Sequence, residues 1–81
     1  MEREKVEAKV KKTIAHVLKK EESEISSDAN FIFDLGADSM QSLQLIAGFE
    51  EEFDIEMDED GALEVQSVKD AVEFIEEIVN Q

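Results

Sequence analysis

The chain has 81 residues, 42% of them apolar and 37% charged, with no cysteine and a formal net charge of -14. That length fits a single domain, 1–81, near the lower size at which a core holds without staples. The missing thiols exclude a disulfide framework, a thiolate metal site and a protein thiol nucleophile. No apolar run approaches the roughly 18 residues a membrane span needs.

The charge is unevenly spread. Residues 1–20 hold seven basic and three acidic side chains, whereas Lys69 is the one basic residue after position 20. A surface this acidic repels phosphate backbones and anionic lipid, so nucleic acid and membrane surfaces are poor partners. It attracts basic protein patches and divalent cations. It also repels itself, which predicts lower stability at low ionic strength. The start, Met1-Glu2-Arg3-Glu4-Lys5, lacks the apolar stretch of a signal peptide. A cytoplasmic location and a monomeric state are the expectations.

In chain order, the first helical pattern runs from about Glu2 to Lys20, with Val6, Val10, Ile14, Val17 and Leu18 at helical spacing. Acidic residues near its start and Lys19-Lys20 near its end complement the helix dipole. His16 lies beside the apolar stripe and reads as a solvated helix residue. Residues 21–38 then form a connection longer than a bundle normally needs. Ile25, Phe31, Ile32, Phe33 and Leu35 make it apolar enough to pack on the core.

The second pattern runs from about Ser39 to Phe53. Leu45, Ile46, Phe49 and Phe53 form its inward face, Met40 and Leu43 lie to one side, and Glu50-Glu51-Glu52 reads as a solvated helix end. Residues 54–66 make a second linker, with room for a helical turn near Glu59–Leu63. The third pattern runs from about Val68 to Val79. Val68, Ala71, Val72, Ile75, Ile78 and Val79 give the cleanest amphipathic signal in the chain. Ser67 is a good N-cap for it, with Asp70 three residues later. The expected fold is all-α: a small bundle of three main helices plus one short helix, with a long structured first loop.

Chemistry concentrates in Asp34-Leu35-Gly36-Ala37-Asp38-Ser39-Met40. Gly36 permits a tight turn at positive φ. Asp38 and Ser39 are both cap residues, so a helix starts here. A serine at a helix start sits where unpaired N–H groups and the positive dipole end favour a negative group. A phosphodiester on Ser39 is therefore electrostatically tolerated. From the spacing alone, a serine that merely caps the helix is the commoner reading.

The segment Asp34 to Met40 closely resembles the phosphopantetheine-attachment motif of acyl carrier proteins, where Asp-Ser-Leu is usual. Asn30-Phe31-Ile32 before it, Glu50-Glu51-Glu52-Phe53-Asp54 after it, and Ser67-Val68 through Ile75 look like the same family in register. The first helix matches in length and pattern. The resemblance implies that Ser39 carries 4'-phosphopantetheine through a phosphodiester, with Asp38 and Met40 as flanking motif residues. The arm's thiol would hold acyl groups as thioesters and present them to lipid- or fatty-acid-synthesis enzymes. It implies as partners a phosphopantetheinyl transferase and acyl-processing enzymes with basic docking patches. By the same analogy an acyl chain would enter an apolar interior lined by Phe31, Leu45, Ile46, Ile55 and Ala71, and Met40 would touch partners. A chain without cysteine must take its thiol from a cofactor, which suits this role.

The chain departs from the family at Gln41 and Gln44, where fatty-acid carriers usually have acids. No charge follows until Glu50. Phe33 stands where a polar residue is common, and reads either as loop core or as an added contact near the arm. Gly48 inside the second helix costs about 1 kcal/mol relative to Ala and allows a close approach by another helix or an acyl chain. These departures point to a specialised carrier.

Three rival readings remain. Glu56, Asp58, Asp60 and Gly61 fall at positions 1, 3, 5 and 6 of an EF-hand loop, but Ser67 stands where a bidentate Glu is required. A helical interaction module unmodified at Ser39 is a second rival. Within the carrier class, polyketide, peptidyl and aminoacyl cargoes share the same attachment logic. An enzyme is not expected, because one histidine and no base near Ser39 leave no triad to assemble.

Overall fold

The computed structural model describes residues 2–80. Its elements are α1 (Arg3–Leu18), a 3₁₀ turn (Glu22–Glu24), α2 (Ser39–Phe53), α3 (Glu59–Glu64) and α4 (Val68–Val79). This is the expected all-α arrangement of three main helices and one short one.

The apolar periodicities decide the packing. Val6, Val10 and Ile14 on α1 recur every four residues and are fully buried, while Val17 and Leu18 pack at the edge of the core. Leu45, Phe49 and Phe53 of α2 and Val68, Ala71, Val72 and Ile75 of α4 join the same cluster. Ile46 is only partly buried. The central member is α1, which packs against both α2 and α4. Arg3 adds ion pairs to Glu73 and Glu76 of α4, at 3.7 and 3.9 Å. His16 is exposed, as the pattern implied.

Helix α1 stops two residues before Lys20. Lys19 turns left-handed (φ 57°), and the Lys20 N–H closes onto the Ala15 carbonyl at 3.0 Å. Asp54 ends α2 in the same way, with φ 54°. Gly48 serves helix contact: a Cβ there would lie 2.8 Å from Thr13 Cγ2 of α1.

The long first loop is core structure in part. Ile25, Ala29, Phe31, Leu35 and Ala37 are buried, and the Phe31 ring meets that of Phe49 with centroids 6.2 Å apart. Two backbone bonds pin the loop to the entry of α4: the Phe31 N–H donates to Gln66 O, and the Val68 N–H donates to Ala29 O, both at 3.0 Å. Phe33 is not loop core. It is 87% exposed, and Ile32 is half exposed. The cause is a tight turn over residues 30–35. Asn30 Oδ1 accepts from the N–H groups of Ile32 and Phe33, Asn30 O accepts from Asp34 and Leu35, and Asp34 Oδ2 accepts from the Asn30 N–H. With helix-like spacing, Phe31 and Leu35 point in and Phe33 points out.

The second linker also differs from expectation at one glutamate. Glu50 Oε2 accepts from the Met57 N–H at 2.9 Å, so Glu50 is half-buried and structural, while Glu51 and Glu52 are exposed.

Candidate functional site

The motif residues converge on the start of α2. Gly36 takes φ +73°, as the tight turn before the helix requires. Asp38 is the N-cap, with extended backbone, and Ser39 is the first helical residue. Asp38 Oδ1 accepts from the Gln41 N–H at 2.7 Å, and Gln41 Oε1 accepts from the Asp38 N–H at 3.1 Å. This is a complete capping box. It settles which of the two candidate caps does the capping: Asp38 does, and Ser39 does not.

The consequence is chemical. The Ser39 hydroxyl forms no hydrogen bond among the described residues, and the residue is exposed. A capping serine would have its oxygen committed to a backbone N–H; this one is free to react. The first turn of α2 contains no acidic side chain, so the helix dipole at this end is not already neutralised from within the helix. A phosphodiester bound through Ser39 would meet the positive end of a 15-residue helix. The Asp38 carboxylate, tied to the Gln41 N–H, is held by the cap.

Met40 and Leu43 are 64% and 65% exposed on the same helix. Gln44 and Ala47 are also exposed, so the outward face of α2 reads Met40, Leu43, Gln44, Ala47, without charge. The departure at Gln41 thus has a structural use that the sequence pattern Asp-x-x-Gln could have signalled.

The interior named for an acyl chain is only partly open. Leu45, Ala71 and Phe31 are close-packed, whereas Ile46 and Ile55 are partly buried. An open groove of about 340 Å³ lies between the 30–35 turn, α2 and α3, lined by Phe31, Ile32, Phe33, Ser42 and Leu63 among others. A wider hollow lined by Glu2, Lys5, Ala8 and Lys9 belongs to α1 and holds no motif residue.

The EF-hand reading fails on geometry. Asp58 turns its carboxylate onto the Gly61 N–H at 2.6 Å to cap α3, and residues 59–64 coil into that helix instead of wrapping an ion. Ser67 caps α4 through the Asp70 N–H at 3.1 Å. Gly61 is where it is because a Cβ would lie 2.6 Å from the Phe74 ring.

No described helix is long and apolar enough to cross a membrane. A family model described as the phosphopantetheine attachment site matches residues 8–75. Members of that family hold 4'-phosphopantetheine covalently on a serine. With most of its length matched and an exposed, unbonded serine leading α2, this chain belongs to the phosphopantetheine-binding carrier family.

Proposed function

We propose that Ser39 is the attachment point of the 4'-phosphopantetheine arm. We further propose that the protein holds acyl intermediates for enzymes of lipid or fatty-acid synthesis in a specialised pathway. The observation that carries this reading is the division of labour at the α2 start. The Asp38–Gln41 box satisfies the helix end, which leaves the Ser39 hydroxyl exposed and unbonded. When bound, the arm supplies the thiol that the chain lacks and on which acyl groups ride as thioesters. The chain's own residues do the rest. Ser39 offers the oxygen, Asp38 and Gln41 fix its backbone, and Gly36 provides the turn that brings the loop onto the helix. Asp38 and Met40 flank the attachment point, Met40 as an exposed apolar contact for enzymes.

The acidic surface supports steering of basic patches on the loading transferase and on acyl-processing enzymes. Gln41 and Gln44 argue for a specialised pathway over the housekeeping one, because the exposed face of α2 has no charge before Glu50. We place the protein in the cytoplasm as a monomeric, single-domain carrier with no catalytic residues of its own. Intact mass after incubation with coenzyme A and a phosphopantetheinyl transferase tests the assignment. The chain should gain one phosphopantetheine, and Ser39→Ala should gain none. A gain that survives Ser39→Ala would overturn it. Cargo is then read by weighing the thioester on protein isolated from its own cell. An aminoacyl or polyketide cargo would replace the fatty-acyl reading.

A further inference from the structure

One face of α2 leads from Ser39 into the core. Ser39 is exposed, Ser42 and Ile46 follow at helical spacing and are partly buried, and Phe49 ends the row fully buried. The groove of about 340 Å³ beside this face has Phe31 and Ser42 in its lining, and Phe31 belongs at the same time to the buried core. The Phe31 ring meets that of Phe49, with centroids 6.2 Å apart and planes tilted by 42°. Among the described residues these are the two largest fully buried side chains. Neither ring has slack behind it. The Phe31 N–H donates to Gln66 O at 3.0 Å, and the Phe31 carbonyl accepts from the Ala37 N–H at 2.8 Å, so its backbone is pinned on both sides. Phe49 stands between buried Leu45 and Phe53 on its own helix. Its neighbour Gly48 seats α2 so close to α1 that a Cβ there would lie 2.8 Å from Thr13 Cγ2.

We infer that the Phe31–Phe49 pair is a stop that restricts the cargo of this carrier to short acyl groups. The inference rests on the assignment of Ser39 as the attachment point. An acyl chain that enters past Ser42 and Ile46 meets the two rings, and to go deeper it must displace one of them. Protein interiors are packed to the density of organic crystals, and extra methylenes forced into a filled core push side chains off their rotamers and shift the backbone. A short acyl group ends before the rings and is covered by Ile46. The outer methylenes of a longer chain find no apolar contact and stay in water, which forfeits the gain that burial would give them. Leucine at position 49 has less volume than phenylalanine and leaves space behind Phe31 that a chain can fill. Phe49 is thus a specificity-determining residue that acts on cargo length, from inside the core and out of reach of any docking enzyme.

The test loads the apo protein from acetyl-, butyryl-, octanoyl- and dodecanoyl-coenzyme A with a phosphopantetheinyl transferase, confirms each product by intact mass, and measures its folding constant by urea denaturation. In wild type the constant should be level from butyryl to dodecanoyl. In Phe49→Leu it should rise from butyryl to octanoyl, about tenfold for each two methylenes buried. Phe31→Leu opens the same space from the other ring and should show the same rise, which keeps the test alive if the change at position 49 unfolds the chain. Ile75→Val loosens the core elsewhere and should remain level. By NMR, the octanoyl methyl should contact Ala71 in Phe49→Leu and not in wild type. A wild-type constant that rises through octanoyl overturns the proposal, because the rings then yield to the chain. So do level constants in both leucine variants, or an equal rise in Ile75→Val. Loaded wild type with any of these results removes only the length limit. Wild type that takes no acyl arm, or Ser39→Ala that still takes one, removes the attachment assignment and the limit with it.

Discussion

Asp38 and Gln41 exchange two hydrogen bonds across the first turn of α2, at 2.7 and 3.1 Å. Each satisfies the other's backbone N–H, which is why the intervening Ser39 can leave its hydroxyl unused. Asp38→Ala should cost about 1 kcal/mol, the usual loss for an N-cap, and Gln41→Ala somewhat less. Gln41→Glu should keep the box and add a favourable dipole interaction of about 0.3–1 kcal/mol. Urea denaturation of the three variants measures this. A Gln41→Glu variant as unstable as Gln41→Ala would show that the box contributes nothing.

Gly48 and Thr13 set how closely α1 and α2 approach. A Cβ at position 48 would sit 2.8 Å from Thr13 Cγ2, and Thr13 is buried with its hydroxyl bonded to Lys9 O at 2.9 Å. Gly48→Ala gains about 1 kcal/mol in helix propensity. Overpacking costs about 1–3 kcal/mol, so the variant should be less stable on balance. In a Thr13→Ser background the methyl group is gone and the hydroxyl remains, and the same change should become stabilising. A double-mutant cycle with a coupling near zero would place the helices farther apart than the structure has them.

Much of this fold is legible in the chain because it is periodic. The four-residue spacing of Val6, Val10 and Ile14 and the α4 stripe from Val68 to Ile75 specify both helix and buried face. Ser39 is legible through its neighbours Gly36 and Asp38. Other features are not, and for physical reasons. The pairing of Phe31 with Gln66 and of Ala29 with Val68 is made by backbone groups, which carry no residue identity. The outward turn of Phe33 depends on Asn30 capturing two N–H groups, a local competition that apolar content alone does not reveal. In the sequence Glu50 is one of three adjacent glutamates with nothing to set it apart; only the return of the chain at Met57 singles it out. The acidic run 56–60 matched a cation-loop spacing while serving as an α3 cap.

Asn30 organises the turn that carries Phe33. Asn30→Ala would free the N–H groups of Ile32 and Phe33 at once. Water can reach these groups, so the loss should be about 1–2 kcal/mol, below the penalty for a buried orphan. Faster amide exchange at Ile32 and Phe33 by NMR is the local signature. Unchanged protection there would mean that the loop holds its shape through Phe31 and Leu35 alone.

Asp54 combines two unfavourable features at the end of α2. Its φ of 54° is left-handed, which costs a side-chain-bearing residue roughly 1–2 kcal/mol. Its charge also faces the negative end of the dipole. Asp54→Gly should therefore stabilise by about 1 kcal/mol after the added chain entropy of glycine is discounted. Asp54→Ala should not, because it keeps the Cβ. Equal thermal midpoints for the two variants would rule out backbone conformation as the cause.

The last turns of α2 and α4 contain no basic residue, and α2 ends in Glu50, Glu51, Glu52 and Asp54. With a net charge of -14, the folded state concentrates repulsion that the extended chain relieves. Screening shortens its reach to about 10 Å at 0.1 M salt, so the melting temperature should rise by a few degrees or more from low to moderate ionic strength. Glu51→Lys and Glu52→Lys, both at exposed positions, should each raise stability by about 0.3–1 kcal/mol at low salt. Their gain should shrink as salt is added, because the same ions that relieve the wild-type repulsion also screen the new attraction. A melting temperature independent of salt, or a lysine gain that salt leaves intact, would show that these carboxylates do not limit the stability of the fold.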